Sequence, residues 1–485
     1  MLQPMKSDAS QALTTRSAVL ANGNVGLLFC ITDVIALASA FVFATLLSSS
    51  VSELISGVAP AAPTLHDEMV RGGHVAVFSL SLLFWFASTG HYSERLTLFS
   101  EFERILGGVM VIGLVDGYLQ FVYHHDISRG WVILNWLTAL ALILSFRIAC
   151  KQTLYNLGPW RCSTIVIGTE GRGKEIADTL LSDHHLGYLP CETVDIKRGR
   201  GFVLARISEL LNSGRAQHVV VSFDETEIAE TLEIARVLDD HFEVPMSLVP
   251  NLRGLAICDL RIDHVFGHDL LFLNSSRRSH SRSRMAAKRL FDIIVAGMLV
   301  MLTSLGMAVI AILVRLDGGP VFYGSTRIGR GGRIFKALKF RSMVPGAEQV
   351  LKDLIERDPT VRGAWKSQFK LKDDPRVTWI GGYLRRMSLD ELPQLFNVLR
   401  GEMSLVGPRP LLPEERTRYG GDAFSLYQRV TPGLTGMWQV SGRDDVEYYR
   451  RIELNNWYIK NWSPSLDLFI LFKTVMTLMH WRGEP

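Results

Sequence analysis

Two adjacent carboxylates, Asp390 and Glu391, sit in the stretch RRMSLDELPQ, residues 385–394, directly after Arg385 and Arg386. Three further stretches carry matching chemistry. KFRSM (339–343) puts Lys339 and Arg341 on one side of a strand-like segment, because residues i and i+2 share a face. SLVGPRP (404–410) presents Arg409 from a Pro/Gly turn, and TPGLTGMWQVSGR (431–443) carries Thr435, Gln439 and Arg443. Planar arginine donors and lysine point charges suit phosphoryl groups. A Mg²⁺ ion bridging phosphate oxygens takes one or two carboxylate ligands. A carboxylate can also attack phosphorus and form an acyl phosphate. Neighbouring helical residues point about 100° apart, so the two acids are given different tasks: attack to Asp390, metal binding to Glu391. Each stretch has a plainer reading. Ser388-x-x-Glu391 is a capping box, Asp390 suits the dipole of a first helical turn, and the turns could be only turns.

These elements need a frame. The chain has 485 residues, 48% hydrophobic and 21% charged, with a mean hydropathy of +0.17. Disordered and collagen-like chains are excluded, and an ordinary cytosolic enzyme is a poor match. The apolar excess is concentrated. Val25–Leu47, Val75–Tyr92, Ile105–Tyr123 and Trp131–Ala149 read as four membrane spans, since a crossing needs about 20 apolar residues. Lys6, Arg16, Arg95, Arg104, Lys151 and Arg161 fall on one side and only Arg71 and Arg129 on the other. That bias puts both ends in the cytoplasm. Asp33 and Asp116 lie inside spans, where hydrogen bonding between helices or proximity to the membrane interface is the favoured reading over a functional one. A fifth apolar stretch, 291–314, has cationic flanks on both sides, from Arg277 to Arg289 before it and Arg315 to Arg333 after it. It reads as a re-entrant helix bent at Ser304-Leu305-Gly306. The alternative is a true fifth crossing.

The middle region alternates short β-branched runs (164–168, 219–221, 246–249) with helical patterns, as a parallel, Rossmann-like α/β domain would. Gly168, Gly171 and Gly173 stand at a strand-to-helix turn in a spacing that signals a nucleotide only weakly, with Asp195 as the acidic candidate downstream. The expected division is a 1–24 tail, a 25–150 four-helix transmembrane bundle, a 160–270 α/β domain and a 275–485 mostly α catalytic domain. Net charge is +4 overall, but residues 161–485 carry the positive excess, which suits phosphorylated substrates and anionic lipid. No nucleic-acid-binding motif is present. The five scattered cysteines read as free thiols. The polar first 20 residues argue against a cleaved signal peptide. Trp457, Tyr458, Lys460 and Trp462 fit either an interfacial anchor or ordinary packing.

KFRSM, SLDELPQLFNVLRGEMSLVGPRP and PGLTGMWQVSGR resemble the catalytic domain of bacterial polyprenyl-phosphate hexose-1-phosphate transferases over about residues 275–485. With four spans and the α/β domain, the chain is similar to the large members. The resemblance implies transfer of a hexose-1-phosphate from a UDP-hexose to undecaprenyl phosphate at the cytoplasmic face of the inner membrane, with release of UMP. It implies a covalent intermediate on Asp390, Mg²⁺ on Glu391, and phosphate handling by Lys339, Arg341, Arg385, Arg409 and Arg443. Asp467 matches a further acidic position. The reaction opens exopolysaccharide, capsule or O-antigen synthesis. The segment 348–376 looks more like galactose-transferring than glucose-transferring members. The family's helix break is usually Ser-Pro, and here it is Ser304-Leu305-Gly306. A homodimer is left open. Alternatives are the same reaction with UDP-glucose, a membrane-anchored nucleotide-sugar dehydratase or epimerase, and a non-catalytic export regulator. The dehydratase reading is weak, because no tyrosine is followed by lysine four residues later.

Overall fold

The computed structural model describes residues 9–56, 65–123, 129–224, 227–242, 244–251, 260–264, 271–275, 282–316, 318–357, 374–441 and 448–480. Arg443 and Cys258 lie outside the described residues. The chain divides into two compact units, Met1–Asn251 and Leu252–Pro485.

The first unit opens with four helices, α1 (Ala9–Ser56), α2 (Leu65–Ser88), α3 (Leu98–Tyr123) and α4 (Arg129–Leu157). Val25–Ser48, Leu98–Val122 and Gly130–Leu157 are long and apolar enough to cross a membrane. α2 begins with polar residues and exposes Val77, Leu80 and Phe84 further along. Outward apolar side chains such as Leu46, Leu114 and Leu137 suit a lipid solvent. The protein is a membrane protein.

The α/β part follows as β1 (Cys162–Gly168), α5 (Glu170–Ser182), β2 (Tyr188–Asp195), α6 (Arg200–Asn212), β3 (His218–Ser222), α7 (Ile228–Phe242) and β4 (Met246–Val249). Its four strands are parallel in the order β2-β1-β3-β4. Alternation along the strands fills both faces. Ile165, Ile167, Val219 and Val221 pack with Val203, Ile207 and Leu210 of α6 and Leu238 of α7. Val166 and Val220 meet Ile176 and Ala177 of α5. The sheet ends at Val249, short of the expected boundary at 270. The hairpin of β5 (Leu260–His264) and β6 (Leu271–Ser275) is a separate antiparallel pair. Asp195 closes β2, where it accepts a hydrogen bond from the Lys197 N–H and so caps the next turn.

Both intramembrane aspartates join helices, as the sequence reading favoured. Asp116 accepts from Trp136 Nε1 at 2.7 Å and Gln120 Nε2 at 2.7 Å, and it meets His74. Asp33, fully buried, pairs with Arg147 of α4 and accepts from Tyr92. Arg147 also lies 3.6 Å from Glu101, which takes Lys151 at 2.8 Å and His185 from the α5–β2 connection. Arg95 donates to the carbonyls of Trp160 and Leu186 and lies over the Trp160 ring. These contacts fix the α/β part on the ends of α3 and α4.

The second unit carries α8 (Arg282–Leu316), the hairpin β7 (Phe322–Ile328) and β8 (Ile334–Phe340), α9 (Ala347–Arg357), α10 (Trp379–Arg386), α11 (Gln394–Arg400), and the parallel pair β9 (Ser404–Val406) and β10 (Gly433–Thr435). Towards its end lie α12 (Tyr448–Lys460) and α13 (Pro464–His480), preceded by the short helices Arg416–Tyr419, Gly421–Tyr427 and Met437–Val440. α8 runs through Ser304-Leu305-Gly306 as one helix, so the expected break is not a break in helical structure. The hydroxyls of Thr303 and Ser304 donate to the carbonyls of Leu299 and Met301, the kind of side-chain bond that bends a helix. Met301, Leu302 and Leu305 are 72%, 81% and 78% exposed, which makes this stretch the most open part of the helix.

The base of α8 is clamped. Arg289 donates to the Val398 and Leu399 carbonyls at the end of α11. Asp292 accepts from Ser404 Oγ and the Leu405 N–H. Lys288 pairs with Asp467 of α13. Tyr458 and Trp462 are buried and donate to Asp467, so ordinary packing accounts for these two aromatics and an interfacial anchor does not.

Arg147→Met removes the cation facing Asp33 and Glu101 and leaves buried charge uncompensated. Loss of one partner of a buried pair costs about 3–5 kcal/mol. A clearly lowered unfolding temperature in detergent, read by scanning fluorimetry, is the expected result.

Candidate active site

The two carboxylates occupy a single 3₁₀ turn, Leu389–Glu391, between α10 and α11. With three residues per turn, neighbours diverge by about 120°, and the environments differ accordingly. The Asp390 side chain is 11% exposed and that of Glu391 is 39% exposed. Ser388 enters this turn in the left-handed region at φ 55° and makes no side-chain cap. The capping-box reading is therefore not realised. A non-glycine residue in that region is strained, and here the strain lies two residues before Asp390.

Lys339, near the end of β8, reaches both acids. Its Nζ lies 2.7 Å from Glu391 Oε1 and 3.8 Å from Asp390 Oδ2. Burial pushes the Asp390 carboxyl above its ordinary value. Lys339 opposes that shift, Glu391 adds to it, and Arg385 opposes it more weakly. Arg385 is held by a 2.9 Å bond from its Nε to Ser342 Oγ. Gly381 makes this packing possible, because a Cβ there would stand 2.1 Å from the Ser342 carbonyl oxygen.

Arg327 of β7 joins the group, although the sequence showed it only as flanking charge. Its Nη1 donates to the Pro410 carbonyl. Burial pushes its guanidinium pKa down and Arg409 adds to that, while Glu415 and Glu391 oppose it. Arg409 and Arg451 both lie over the Trp438 ring, at 5.2 and 4.9 Å. Lys339 thus contacts both acids, Arg385 acts on Asp390, Arg327 acts on Glu391, and Arg409 stands beside Arg327.

Other expected phosphate residues have internal partners. Arg341 is buried and donates to the carbonyls of Val314 and Gly318, where it ties down the end of α8. Thr435 Oγ1 pairs with Thr474 Oγ1 at 2.8 Å. Asp467 belongs to the clamp on α8. Gln439 is buried, and its Oε1 has no hydrogen-bond partner among the described residues. The glycines of the two Pro/Gly turns serve close backbone approach: a Cβ on Gly433 would stand 2.0 Å from the Gly407 nitrogen.

Asn397 also went unread in the sequence. It is fully buried one turn into α11. Its Oδ1 accepts from the Leu338 N–H, and its Nδ2 donates to the Lys336 carbonyl and to Glu402. This one side chain sets β8, and hence Lys339, against the helix that follows the carboxylates. The described residues contain no group of three or more His, Cys, Asp or Glu placed to hold a metal.

Two adjacent acids with a lysine in contact and arginines close by suit chemistry on phosphorylated groups. The chain belongs to the bacterial sugar transferase family, whose model matches residues 283–481. It is similar to an undecaprenyl-phosphate galactose phosphotransferase of Salmonella typhimurium, 35% identical over 84% of this chain and 87% of that protein. It is also similar to a UDP-galactose-lipid carrier transferase of Erwinia amylovora, 33% identical over 93% and 94%. An undecaprenyl-phosphate glucose phosphotransferase of Komagataeibacter xylinus is 36% identical over 56% of this chain and 50% of its own. The protein is an enzyme that transfers a phosphosugar.

Asn397→Ala leaves the Leu338 N–H and Lys336 C=O unpaired in the interior, at about 1–3 kcal/mol for each buried group. The expected outcome is a lower unfolding temperature together with reduced turnover, since Lys339 loses its register. An unchanged melting curve would contradict the role given to this side chain.

Proposed function

We propose that the enzyme transfers hexose-1-phosphate from a UDP-hexose to undecaprenyl phosphate. The observation that carries this reading is the buried Asp390 beside a more open Glu391, both within reach of Lys339. In the first step an Asp390 carboxylate oxygen attacks the phosphorus that bears the sugar. The bond to the bridging oxygen of UMP breaks, UMP leaves, and a phospho-sugar remains on Asp390. In the second step a phosphate oxygen of undecaprenyl phosphate attacks that phosphorus. Asp390 departs as carboxylate and the diphosphate-linked sugar forms. Lys339, Arg385, Arg327 and Arg409 supply positive charge where the phosphoryl oxygens gather. Arg443 and Gln439 belong to the same motif and are assigned to substrate binding.

The donor set fits Mg²⁺, which takes one or two carboxylates and completes its shell with water and phosphate oxygens. Glu391 would hold it on exchanging its contact with Lys339. Held there, it would supply positive charge against the phosphate of the departing UMP. Galactose is the sugar assigned, supported by the full-length relatives named for it. Glucose is the second reading, supported by the relative named for that sugar. The product would begin a surface polysaccharide.

Re-entry of α8 belongs to the same proposal. A straight helix of its length would measure about 52 Å, well beyond the roughly 30 Å hydrocarbon core. Yet one end is bonded through Arg289 to α11 and the other through Arg341 to β8, and Asn397 joins those two elements. Both ends held by one unit supports a helix that dips in and returns, with the catalytic unit and the chain's ends on the cytoplasmic face.

Asp390→Asn is expected to abolish UMP release from UDP-galactose and covalent labelling by radiolabelled UDP-sugar, and retained labelling would remove Asp390 as nucleophile. The attacking form is the carboxylate, so the wild-type rate should rise with pH through an apparent pKa above the usual carboxylate value. Lys339→Met deletes a cation that lowers that pKa, so its acid limb should move to higher pH. For α8, single cysteines placed before 291 and after 314 should react with a membrane-impermeant reagent from the same side. Labelling from opposite sides would establish a crossing.

A further inference from the structure

The second unit contains a cavity of about 990 Å³ that excludes Lys339, Asp390 and Glu391 from its lining. It lies at the base of α8. Ile334 lines it at the start of β8, whereas Lys339 stands five residues further along that strand. At about 3.3 Å per residue, the two are roughly 17 Å apart. Arg400, another lining residue, ends α11, while the carboxylates precede that helix.

Six cations line the cavity: Lys288, Arg289, Arg330, Arg333, Arg400 and Arg429. Lys288 and Arg289 are committed to the clamp on α8. The other four are exposed and form no ion pair among the described residues. The lining holds two acids, Asp292, which accepts from Ser404 and Leu405, and Glu402, which accepts from Asn397. Among the described residues the lining therefore holds six cations against two carboxylates, and like charges gathered round one hollow repel one another unless an anion fills it. Arginine forks match phosphate oxygens in particular.

The place of the cavity selects the kind of phosphate. Lys288, Arg289 and Asp292 face it from α8, and on the same two turns Leu290, Ile293 and Ile294 are 60%, 41% and 52% exposed. The lipid-facing surface of the helix therefore begins at the rim. A ligand with a phosphate head and apolar tails satisfies both sides of that border. We propose that this cavity is a second phosphate site, separate from the Asp390 centre, that takes the headgroup of an anionic membrane phospholipid.

The test uses the full chain, delipidated in neutral detergent and titrated with dioleoylphosphatidylglycerol while bound lipid is counted by native mass spectrometry. The wild type should retain the anionic lipid at least ten-fold better than the quadruple variant R330Q/R333Q/R400Q/R429Q, because each substitution removes a cation that attracts an anionic headgroup. The quadruple lysine variant keeps the charge and should retain most of the binding. Dioleoylphosphatidylcholine should bind both proteins weakly. Inorganic diphosphate should displace phosphatidylglycerol only at high concentration; tight displacement at low concentration would assign the cavity to a soluble phosphate and overturn the lipid reading. Equal retention by wild type and glutamine variant, with matching unfolding temperatures, would overturn the site itself. UMP release in phosphatidylcholine nanodiscs should be the same for all three proteins, which separates loss of lipid binding from loss of fold.

Discussion

The clamp at the base of α8 is the constraint on which the catalytic unit depends. An apolar helix with little of its surface covered by protein has few packing contacts to fix its angle. Three polar residues in its first turns do that work: Lys288 to Asp467, Arg289 to the end of α11, and Asp292 to β9. Each removes a charge or an unpaired carbonyl from the interior, where leaving it would be costly. The same contacts set α11, and the turn before α11 carries the acidic pair. Membrane anchorage and catalytic geometry are thus fixed by one set of bonds.

Placement of charge also explains the difference between the two carboxylates. A 3₁₀ turn sends Asp390 inward and Glu391 outward, and a single lysine spans the gap between them. The buried acid resists ionisation through desolvation, and the surrounding cations restore part of its charge. A carboxylate so placed is poorly hydrated and near cations that can also hold a substrate's phosphates. In the first unit the same principle serves structure alone. Asp33 and Glu101 are balanced by Arg147 and Lys151, with His185 extending the network into the α/β part.

Much of this was legible in the sequence. The apolar runs gave the helices, and the β-branched runs gave β1, β3 and β4 within two residues. Residue type and motif singled out both Asp390 and Lys339, and their proximity came from the structure. Other features depend on partners that the sequence does not name. Arg341 and Asp467 have the residue types of phosphate ligands, but burial turned them to backbone carbonyls and to buried donors. Asn397 and Arg327 gave no signal, because an isolated amide or an arginine in a hairpin has no pattern until its partners are known. The helix break was sought in Ser304-Leu305-Gly306, whose backbone stays helical while two hydroxyls bond back along the helix.

The sequence by itself determined which segments are apolar enough for a membrane, which form a parallel sheet, and that two acids and several cations share one half of the chain. Those outcomes depend on local hydropathy, period and composition. Only the tertiary structure decided which cations face the acids, which are spent on carbonyls, and which four arginines are left around a separate cavity. Pairing of charges depends on distance and dielectric across segments far apart in the chain, and neither quantity is encoded by residue spacing.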